Sequence, residues 1–258
     1  MIPSQRQKLL MQIIDEREYV SINYLTSHFG VSHMTIRRDI AELGKHQKVK
    51  AVSGGVRKAG VESTELPRTF KVNIARDAKS AIARSAASLV NFEKVIYLDA
   101  GTTCYEIARE LAARHDLVFI TNDIETTSLL IKSTRSEVYF VGGRIDKENG
   151  SSVGLLASET LSKFNIDLAF ISAAAFNATG ISSSDENKSQ IKKSVSQVSS
   201  KSVLVADASK YGLISLHKCL PLNKFETLIT DNHLTDNARE KLETCVSNII
   251  IAELDVND

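Results

Sequence analysis

The chain has 258 residues, of which 43% are hydrophobic and 24% charged, so it is ordinary in composition for a soluble protein of one or two domains. No apolar run approaches the roughly 20 residues of a membrane-spanning helix, and the first residues lack the apolar core of a signal peptide. The three cysteines are odd in number and widely spaced, which excludes a disulfide framework and a zinc pattern. We therefore expect a cytoplasmic protein that makes no contact with membranes.

The net charge of +1 conceals two parts of opposite sign. Residues 1 to 60 contain ten Lys/Arg against five Asp/Glu, a net charge of +5. The remaining residues contain 22 Lys/Arg against 26 Asp/Glu, a net charge of −4. This segregation predicts that only the N-terminal part contacts a polyanion such as DNA.

Three helices are predicted in the basic N-terminal part, because apolar residues recur there at helical spacing. The first covers residues 4–17. Ser21 is a suitable N-cap for a short second helix, which Gly30 ends, and Ser32 is a suitable N-cap for the third. Helix, short helix, glycine-containing turn and helix is the order of a helix-turn-helix domain.

The third predicted helix carries the side chains that would read DNA. Its apolar residues Ile36, Ile40 and Leu43 share one face, which we expect to be buried. Recognition helices lie in the major groove, where arginine binds guanine through two hydrogen bonds and hydroxyl groups reach phosphates or bases. The segment VKAVSGGVR that follows predicts two short strands around a turn, a wing from which Lys50 and Arg57 approach phosphates. The DNA-contacting residues predicted around the helix are Ser32, His33, Met34, Thr35, Arg37 and Arg38.

The run VSHMTIRRDIAEL, followed by VSGGV, resembles the DeoR family of bacterial transcription regulators. The DNA-binding domain of that family is a winged helix-turn-helix with a Ser-x-x-Thr-[Ile/Val]-Arg-[Arg/Lys]-Asp helix. The matching positions are Ser32, Thr35, Arg37, Arg38 and Asp39. We therefore predict a winged helix-turn-helix domain over residues 1–57 that binds double-stranded operator DNA. Weak periodicity predicts a linker over residues 58–76.

Short apolar runs alternate with helical patterns over residues 77–258, which we predict to form one domain. The predicted strands cover residues 95–99, 117–121, 138–143, 168–174, 202–207, 227–230 and 248–252. The predicted helices cover residues 77–90, 103–114, 123–132, 185–200 and 234–244. This alternation predicts a doubly wound, largely parallel α/β domain with helices on both faces of the sheet.

Four of the predicted strands end in polar, glycine-rich segments, and ligands of such sheets bind beyond the carboxyl ends of the strands. Gly101 allows close approach of an anion to the backbone, and Lys210 supplies a positive charge. Asp99 and Asn122 are suited to sugar hydroxyls. Each segment alone also fits an ordinary turn, but four at one edge favour a shared anion site. The effector-binding residues predicted there are Asp99, Gly101, Thr102, Thr103, Thr121, Asn122, Gly142, Gly143 and Lys210.

The sequence contains no motif for a cofactor. The loop after the first strand of the body lacks the spacing of a nucleotide P-loop and of a dinucleotide-binding loop. Metal-ligand spacing is absent from the sequence as well. We therefore predict neither a metal nor a cofactor.

The resemblance to the DeoR family extends over the body, which in that family is similar to sugar-phosphate isomerases and senses phosphorylated sugars or related metabolites. The family's loop motifs match residues 99–103, 121–122, 142–143 and 207–212. The run DENKSQIKKSV supplies the family's lysine as Lys192, and the resemblance implies that Lys192 and Glu186 contact the effector. The chain departs from the pattern in two of these motifs. Cys104 stands where a third threonine is usual, and Asn187 and Lys188 replace a Glu-Glu pair, which predicts an altered or more highly charged ligand.

Two functions remain open on the sequence alone. The first is a transcription regulator, by family norm a repressor, that controls carbohydrate catabolism and responds to a phosphorylated sugar or sugar acid. A helix-turn-helix protein of this kind is expected to act as a homodimer or higher even homo-oligomer. The second is a sugar-phosphate isomerase or deaminase with a DNA-binding head, for which Asp99, Asp185, Glu186, Lys192 and Lys210 are candidate acid–base groups. Ligand binding explains the presence of all these residues as well as catalysis does, so we predict no catalytic residues.

Overall fold

The computed structural model describes residues 2–17, 19–45, 49–52, 55–58 and 66–254. The chain divides into two units, Met1–Leu66 and Pro67–Asp258. None of the helices in these described ranges is both long enough and apolar enough to span a membrane.

The N-terminal unit has the predicted helix-turn-helix order with a wing. Its elements are α1 (Pro3–Arg17), β1 (Tyr19–Ser21), α2 (Ile22–Phe29), α3 (His33–Lys45), β2 (Val49–Val52) and β3 (Gly55–Lys58). The three strands form an antiparallel sheet in the order β1-β3-β2. Strand β1 was not predicted, because three residues are too few for the alternation that identifies a strand.

The predicted helix boundaries of this unit are confirmed by their caps. Ser21 accepts a hydrogen bond from the backbone N–H of Tyr24 at 3.1 Å and so begins α2. Gly30 ends α2 in the left-handed region, at φ 62°, where glycine carries no steric penalty. Ser32 Oγ accepts from the N–H of Thr35 at 3.3 Å at the start of α3. These caps fix the turn between α2 and α3.

A buried ion pair joins α1 to α3. The guanidinium of Arg6 donates to both carboxylate oxygens of Asp39, through Nε and through Nη2, the latter at 3.2 Å. Gln7 Nε2 donates to the same carboxylate at 3.2 Å. Asp39 lies between the buried residues Ile36 and Leu43 on the inner face of α3. The pair therefore fixes the recognition helix against the first helix of the domain.

The C-terminal unit alternates strands and helices. Its helices are α4 (Arg68–Lys71), α5 (Arg76–Ala87), α6 (Thr102–Leu111), α7 (Ile124–Ser133), α8 (Leu155–Leu161), α9 (Glu186–Val198) and α10 (Asp236–Glu243). Its strands are β4 (Val95–Leu98), β5 (Val118–Thr121), β6 (Glu137–Phe140), β7 (Arg144–Asp146), β8 (Ser151–Val153), β9 (Ile166–Ser172), β10 (Ala175–Asn177), β11 (Gly180–Ser183), β12 (Ser199–Val205), β13 (His217–Leu220), β14 (Thr227–Asp231) and β15 (Asn248–Ala252).

Seven of these strands form one parallel sheet in the order β15-β14-β12-β9-β4-β5-β6. They are the seven strands predicted from the sequence, and the predicted parallel α/β fold is confirmed. From β4 the chain adds β5 and β6 on one side, whereas β12, β14 and β15 are added on the other side of β9. The order of the strands therefore reverses between β4 and β9. In open α/β sheets such a reversal marks the crevice in which ligands bind.

Helices cover both faces of this sheet, as a buried parallel sheet requires. One apolar cluster includes residues of α5, α6 and α7. The other includes residues of α8, α9 and α10. The body therefore has a doubly wound core with one hydrophobic layer on each face.

Two small antiparallel sheets were not predicted. Strands β7 and β8 form a hairpin, and β10, β11 and β13 form a three-stranded sheet. Their sequences, such as SSV and GISS, are short and rich in serine, so they lack the apolar signal of a buried strand. Each small sheet begins directly after a strand of the large sheet, because β7 follows β6 and β10 follows β9 along the chain.

The linker predicted over residues 58–76 needs correction in its C-terminal part. Residues 67–76 belong to the second unit and include α4. Arg68 N–H donates to Glu148 O at 3.1 Å, and Lys71 Nζ donates to Asn149 Oδ1 at 2.6 Å. Polar contacts hold this segment, which explains why hydrophobic periodicity did not reveal it. Residues 59–65 of the predicted linker lie outside the described residues.

Candidate DNA-binding face and effector site

The outward face of α3 is basic and accessible. Ile36, Ile40 and Leu43 are buried, as predicted. Arg37 and Arg38 are exposed on the opposite face. At the start of the helix the exposed residues are Ser32, His33 and Met34, with Thr35 half-buried at the margin. This arrangement leaves the predicted DNA-contacting side chains free of the domain core.

The wing predicted after α3 is present as strands β2 and β3. Lys50 and Arg57 are opposite each other in the antiparallel register of these strands. Their side chains, and residues 53 and 54 at the turn, lie outside the described part of the structure. A phosphate contact by Lys50 or Arg57 therefore stays a prediction.

Replacing Arg37 with alanine is expected to weaken operator binding by about 1–3 kcal/mol, which is roughly 5- to 150-fold in Kd. Arg37 is exposed, and an arginine of a helix that lies in the major groove can donate two hydrogen bonds to a guanine. Titrations of a selected operator fragment and of a scrambled fragment, each at two salt concentrations, measure the effect. Arg135→Ala, which removes an exposed arginine of the body, is the matched control. Equal operator affinities for the Arg37 and Arg135 variants would exclude the assigned role of α3.

Asp99 lies at the reversal point of the sheet, where β4 and β9 are neighbours. Its Oδ2 accepts hydrogen bonds from the N–H and the hydroxyl of Ser172, both at 3.0 Å. Lys192 of α9 forms a buried ion pair with the same oxygen and donates to Ser172 O at 2.8 Å. The structure thus brings together the predicted residues Asp99 and Lys192, and adds Ser172. Asp99 is only 2% exposed, so its carboxylate orients Lys192 rather than facing solvent.

Asn122 and Thr121 bind protein groups at the end of β5. Asn122 Oδ1 accepts from Tyr97 Oη at 2.8 Å and from the N–H of Ala100 at 3.0 Å. Its Nδ2 donates to Ser152 O at 3.0 Å. Thr121 Oγ1 donates to a backbone carbonyl of β4 at 2.7 Å. These two residues, predicted to contact an effector, hold the loop after β4 and the hairpin in place.

A carboxylate of the protein already occupies the loop at which we expected an anion. The N–H of Gly101 donates to Asp123 Oδ2 at 3.3 Å. Arg68 Nη1 donates to the same oxygen at 2.6 Å, and Thr126 N donates to Oδ1 at 2.7 Å. Burial raises the pKa of Asp123, although the charge of Arg68 opposes the shift. Glycine is required at position 101, because its φ is 155° and a Cβ would lie 3.0 Å from Ser172 Oγ.

A cavity of about 300 Å³ opens beside this loop. Its walls come from four successive helices, α4 to α7, on one face of the sheet. Three cationic, two acidic, three other polar residues and one valine line it, namely Arg68, Arg76, Lys79, Glu106, Glu125, Thr69, Thr102, Tyr105 and Val72. Of these, only Thr102 was predicted from the sequence.

Lys79 was missed because it stands on a helix rather than at a strand end. It lies on the inner face of α5, next to Ala78 and one turn before Ile82, so the helical spacing does indicate its burial. Its Nζ donates to Lys71 O. Burial, assisted by the charge of Lys210, lowers the pKa of Lys79 to about 8. Lys210 forms an ion pair of 3.1 Å with Asp207 at the end of β12.

The other predicted effector residues are placed differently. Gly142 and Gly143 connect β6 to the hairpin, and Gly143, at φ 130°, is in close contact with Ala157 of α8. Thr103 is buried. Glu186 is exposed at the first position of α9. None of these four residues lines the cavity.

The two departures from the family pattern have structural roles. Cys104 is fully buried in the apolar cluster of α5 to α7, and its Sγ lies 3.6 Å from Phe170 O. Burial raises the pKa of its thiol well above the usual value. Lys188 forms an ion pair with Asp146 of β7 at 2.7 Å. The expectation that Cys104 alters the ligand by direct contact is therefore not supported.

The body of the chain and its N-terminal part each match a family model. A model of the DeoR C-terminal sensor domain matches residues 74–232. A model of the DeoR-like helix-turn-helix domain matches residues 6–60.

Several proteins are similar to the chain over nearly its whole length. An uncharacterized HTH-type transcriptional regulator of Haemophilus influenzae is 41% identical, over 94% of each chain. The uncharacterized HTH-type transcriptional regulator YgbI of Escherichia coli is 38% identical, over 98% of this chain and 99% of the relative. The transcriptional repressor AccR of Agrobacterium fabrum is 29% identical, over 88% of this chain and 89% of its own length.

Among solved structures, ribose 5-phosphate isomerase A of Methanocaldococcus jannaschii is similar at a TM-score of 0.40 and 21% identity. That similarity covers 53% of this chain and 55% of the isomerase. The delta subunit of eIF2B from Chaetomium thermophilum gives a TM-score of 0.41 at 15% identity, over 74% of this chain and 61% of the subunit.

Proposed function

Because the chain belongs to the DeoR family of transcriptional regulators, we propose that it represses an operon for carbohydrate catabolism and is released from its operator by a phosphorylated sugar or sugar acid. The protein is a DNA-binding transcription regulator and not an enzyme, since its relatives are named as regulators. The observation that supports the effector class is the cation-lined cavity beside the reversal point of the sheet.

An anionic ligand fits the charges around this cavity. Arg68, Arg76 and Lys79 line its walls together with Glu106 and Glu125, so the lining has a net positive charge. Lys210 is not a lining residue, but its charge acts on Lys79. A phosphate or carboxylate beside Lys79 stabilises the ammonium form that burial disfavours. The hydroxyl of Thr102 adds a donor suited to a phosphate oxygen. A phosphate group of a sugar satisfies these requirements.

Two further lining residues are suited to a sugar. Tyr105 offers a hydroxyl and an aromatic face, and Glu125 offers acceptors for hydroxyl groups. A cavity of about 300 Å³ is at the lower end of the range for small-molecule sites. We therefore propose a single monosaccharide unit rather than a larger conjugate.

Two copies of the chain are proposed to bind one operator. A helix-turn-helix dimer places its recognition helices on two half-sites one helical turn apart. We propose a homodimer or a higher even homo-oligomer on this basis. An effector then weakens operator binding only if it binds one arrangement of the protein more tightly than the other.

Replacing Lys210 with alanine is expected to weaken effector binding about tenfold or more, because a hydrogen bond to a charged group contributes roughly 1.5–3 kcal/mol. Operator affinity without effector should stay unchanged, since Lys210 is in the body. A thermal-shift screen of sugar phosphates and sugar acids identifies the ligand, because binding to the native state raises Tm. Mobility-shift titrations with and without that ligand then measure the response.

The matched control is Lys224→Ala. Lys224 is an exposed lysine that precedes β14, so it lies at the amino edge of the sheet, opposite the proposed site. Lys224→Ala should respond to the effector as the native protein does. An effector response in Lys210→Ala equal to that of the control would exclude Lys210 from the site. A screen in which no sugar phosphate or sugar acid alters operator affinity would refute the proposed effector class.

A further inference from the structure

The helix α4 makes several polar contacts with the body. It has four residues, and none of them is buried. Arg68 pairs with Asp123, and the N–H of Arg68 donates to Glu148 O at 3.1 Å. Lys71 donates to Asn149 at 2.6 Å, and Lys79 Nζ donates to Lys71 O. Neither of the two apolar clusters of the body includes one of these four residues.

The place of α4 in the chain connects it to the DNA-binding unit. The boundary between the two units falls between Leu66 and Pro67, so α4 is the first helix after the DNA-binding unit. Only residues 59–67 separate the end of β3 from the start of α4. Along the chain, α4 is therefore the helix of the body nearest to the wing of the DNA-binding unit.

The side chain of Arg68 faces the proposed effector cavity. The guanidinium carbon lies 5.4 Å from the ring centroid of Tyr105, and both residues line the cavity together with Thr102. The Arg68 side chain is 13% exposed, whereas the carboxylate of Asp123 is 0% exposed. Of the two partners, the arginine is thus the one that an incoming ligand can reach.

The carboxylate of Asp123 keeps other partners if Arg68 moves away. Its Oδ1 accepts from the N–H of Thr126 at 2.7 Å, and its Oδ2 accepts from the N–H of Gly101 at 3.3 Å. Loss of its counter-charge destabilises a buried carboxylate, and these two hydrogen bonds offset part of that cost. If Arg68 moves from Asp123 to a ligand, each carboxylate oxygen of Asp123 therefore still accepts a hydrogen bond.

We infer that Arg68 contacts the anionic group of the effector and exchanges Asp123 for it, so that ligand binding repositions α4 and alters operator affinity. This inference rests on the proposed effector site. Arg68 is then the residue that couples the site to the DNA-binding unit, whereas Lys79 and Lys210 hold the ligand. The ligand class it requires carries at least one phosphate or carboxylate.

The test compares Arg68→Gln and Arg68→Lys with the native full-length chain. A DNA fragment selected by the native protein serves as the operator. The probes are inorganic phosphate, glucose 6-phosphate, 6-phosphogluconate and the compound with the largest thermal shift in a sugar-phosphate screen. Operator Kd is measured with and without saturating probe, probe Kd by calorimetry, and hydrogen exchange of residues 67–75 by mass spectrometry.

In the native protein the effective probe is expected to change operator Kd by about fivefold or more, the usual range of allosteric coupling. In Arg68→Gln this change should fall below about twofold even at saturation, and residues 67–75 should exchange rapidly without probe. Arg68→Lys retains the charge and should recover part of the response. Arg239→Gln, which breaks an exposed ion pair with Glu243 on α10, should respond like the native protein.

The outcomes separate this inference from the proposed function. If the native protein responds to a probe and Arg68→Gln responds equally, the role of Arg68 is overturned while the effector site stands. The same conclusion follows if residues 67–75 exchange identically in both proteins. If no probe changes the operator affinity of the native protein, the proposed effector class fails, and this inference fails with it.

Discussion

Replacing Asp39 with alanine is expected to lower the free energy of unfolding of the N-terminal unit by about 3–5 kcal/mol, because it removes the buried carboxylate that pairs with the guanidinium of Arg6. Both residues are almost fully buried, and two hydrogen bonds join them. That loss is comparable to the whole stability of a domain of this size. Hydrogen exchange of the amides of α1 and α3 in the full-length chain measures it directly, and operator binding should be lost in parallel.

Glu42→Ala is the matched control for this prediction. Glu42 is on the same helix and pairs with Lys45, but both side chains of this pair are largely exposed. A pair of this kind contributes about 1 kcal/mol or less. A double variant, Arg6→Met with Asp39→Leu, should recover stability relative to Asp39→Ala, because apolar side chains then replace both charges of the buried pair. Equal protection of α3 in Asp39→Ala and Glu42→Ala would show that the ion pair does not hold the recognition helix.

Replacing Lys192 with methionine is expected to destabilise the C-terminal unit by a similar amount, about 3–5 kcal/mol. Methionine is similar in length to lysine, but it removes the counter-charge of the buried carboxylate of Asp99, which keeps its two hydrogen bonds from Ser172. The pair joins α9 to the reversal point of the sheet, so the crevice should lose its shape and the effector response should disappear. Urea unfolding followed by circular dichroism measures the stability, and mobility-shift titrations measure the response.

Lys193→Met places the same substitution one residue further along α9, on its exposed face, and should change stability by less than about 0.5 kcal/mol. Combining Asp99→Asn with Lys192→Met should recover part of the loss, because neither buried partner then carries a charge. A Lys192→Met protein as stable as Lys193→Met would contradict a structural role for the pair. Loss of the effector response without loss of stability would assign Lys192 to ligand binding alone.

Much of the architecture was predictable because buried parallel strands and capped helices leave strong local signals. The seven strands of the large sheet are continuous apolar runs such as VIYL and NIII, bounded by polar residues. Ser21, Gly30 and Ser32 mark the boundaries of the recognition motif through capping chemistry that depends on neighbouring residues only. The inner face of α3 followed from helical spacing in the same way.

The candidate site was only partly predictable, because its contacts depend on side chains that are distant in sequence. Asn122 is suited to a sugar hydroxyl by residue type, yet Tyr97 and Ser152 occupy its amide. Arg68 comes from a segment with no apolar pattern, and its pairing with Asp123 spans 55 positions of the chain. Long-range pairs of this kind leave no periodic signal.

The residues that form the apolar core of the body and the residues that line the cavity are different, and this has a consequence for how such a protein evolves. The residues that stabilise the body are in two clusters on the faces of the sheet. The cavity is lined by Val72 and by residues of helices α4 to α7, and none of these belongs to either cluster. Substitutions that alter ligand preference can therefore accumulate without repacking the core. Proteins of this fold can thus evolve to bind new effectors while their DNA-binding unit and their apolar core remain the same.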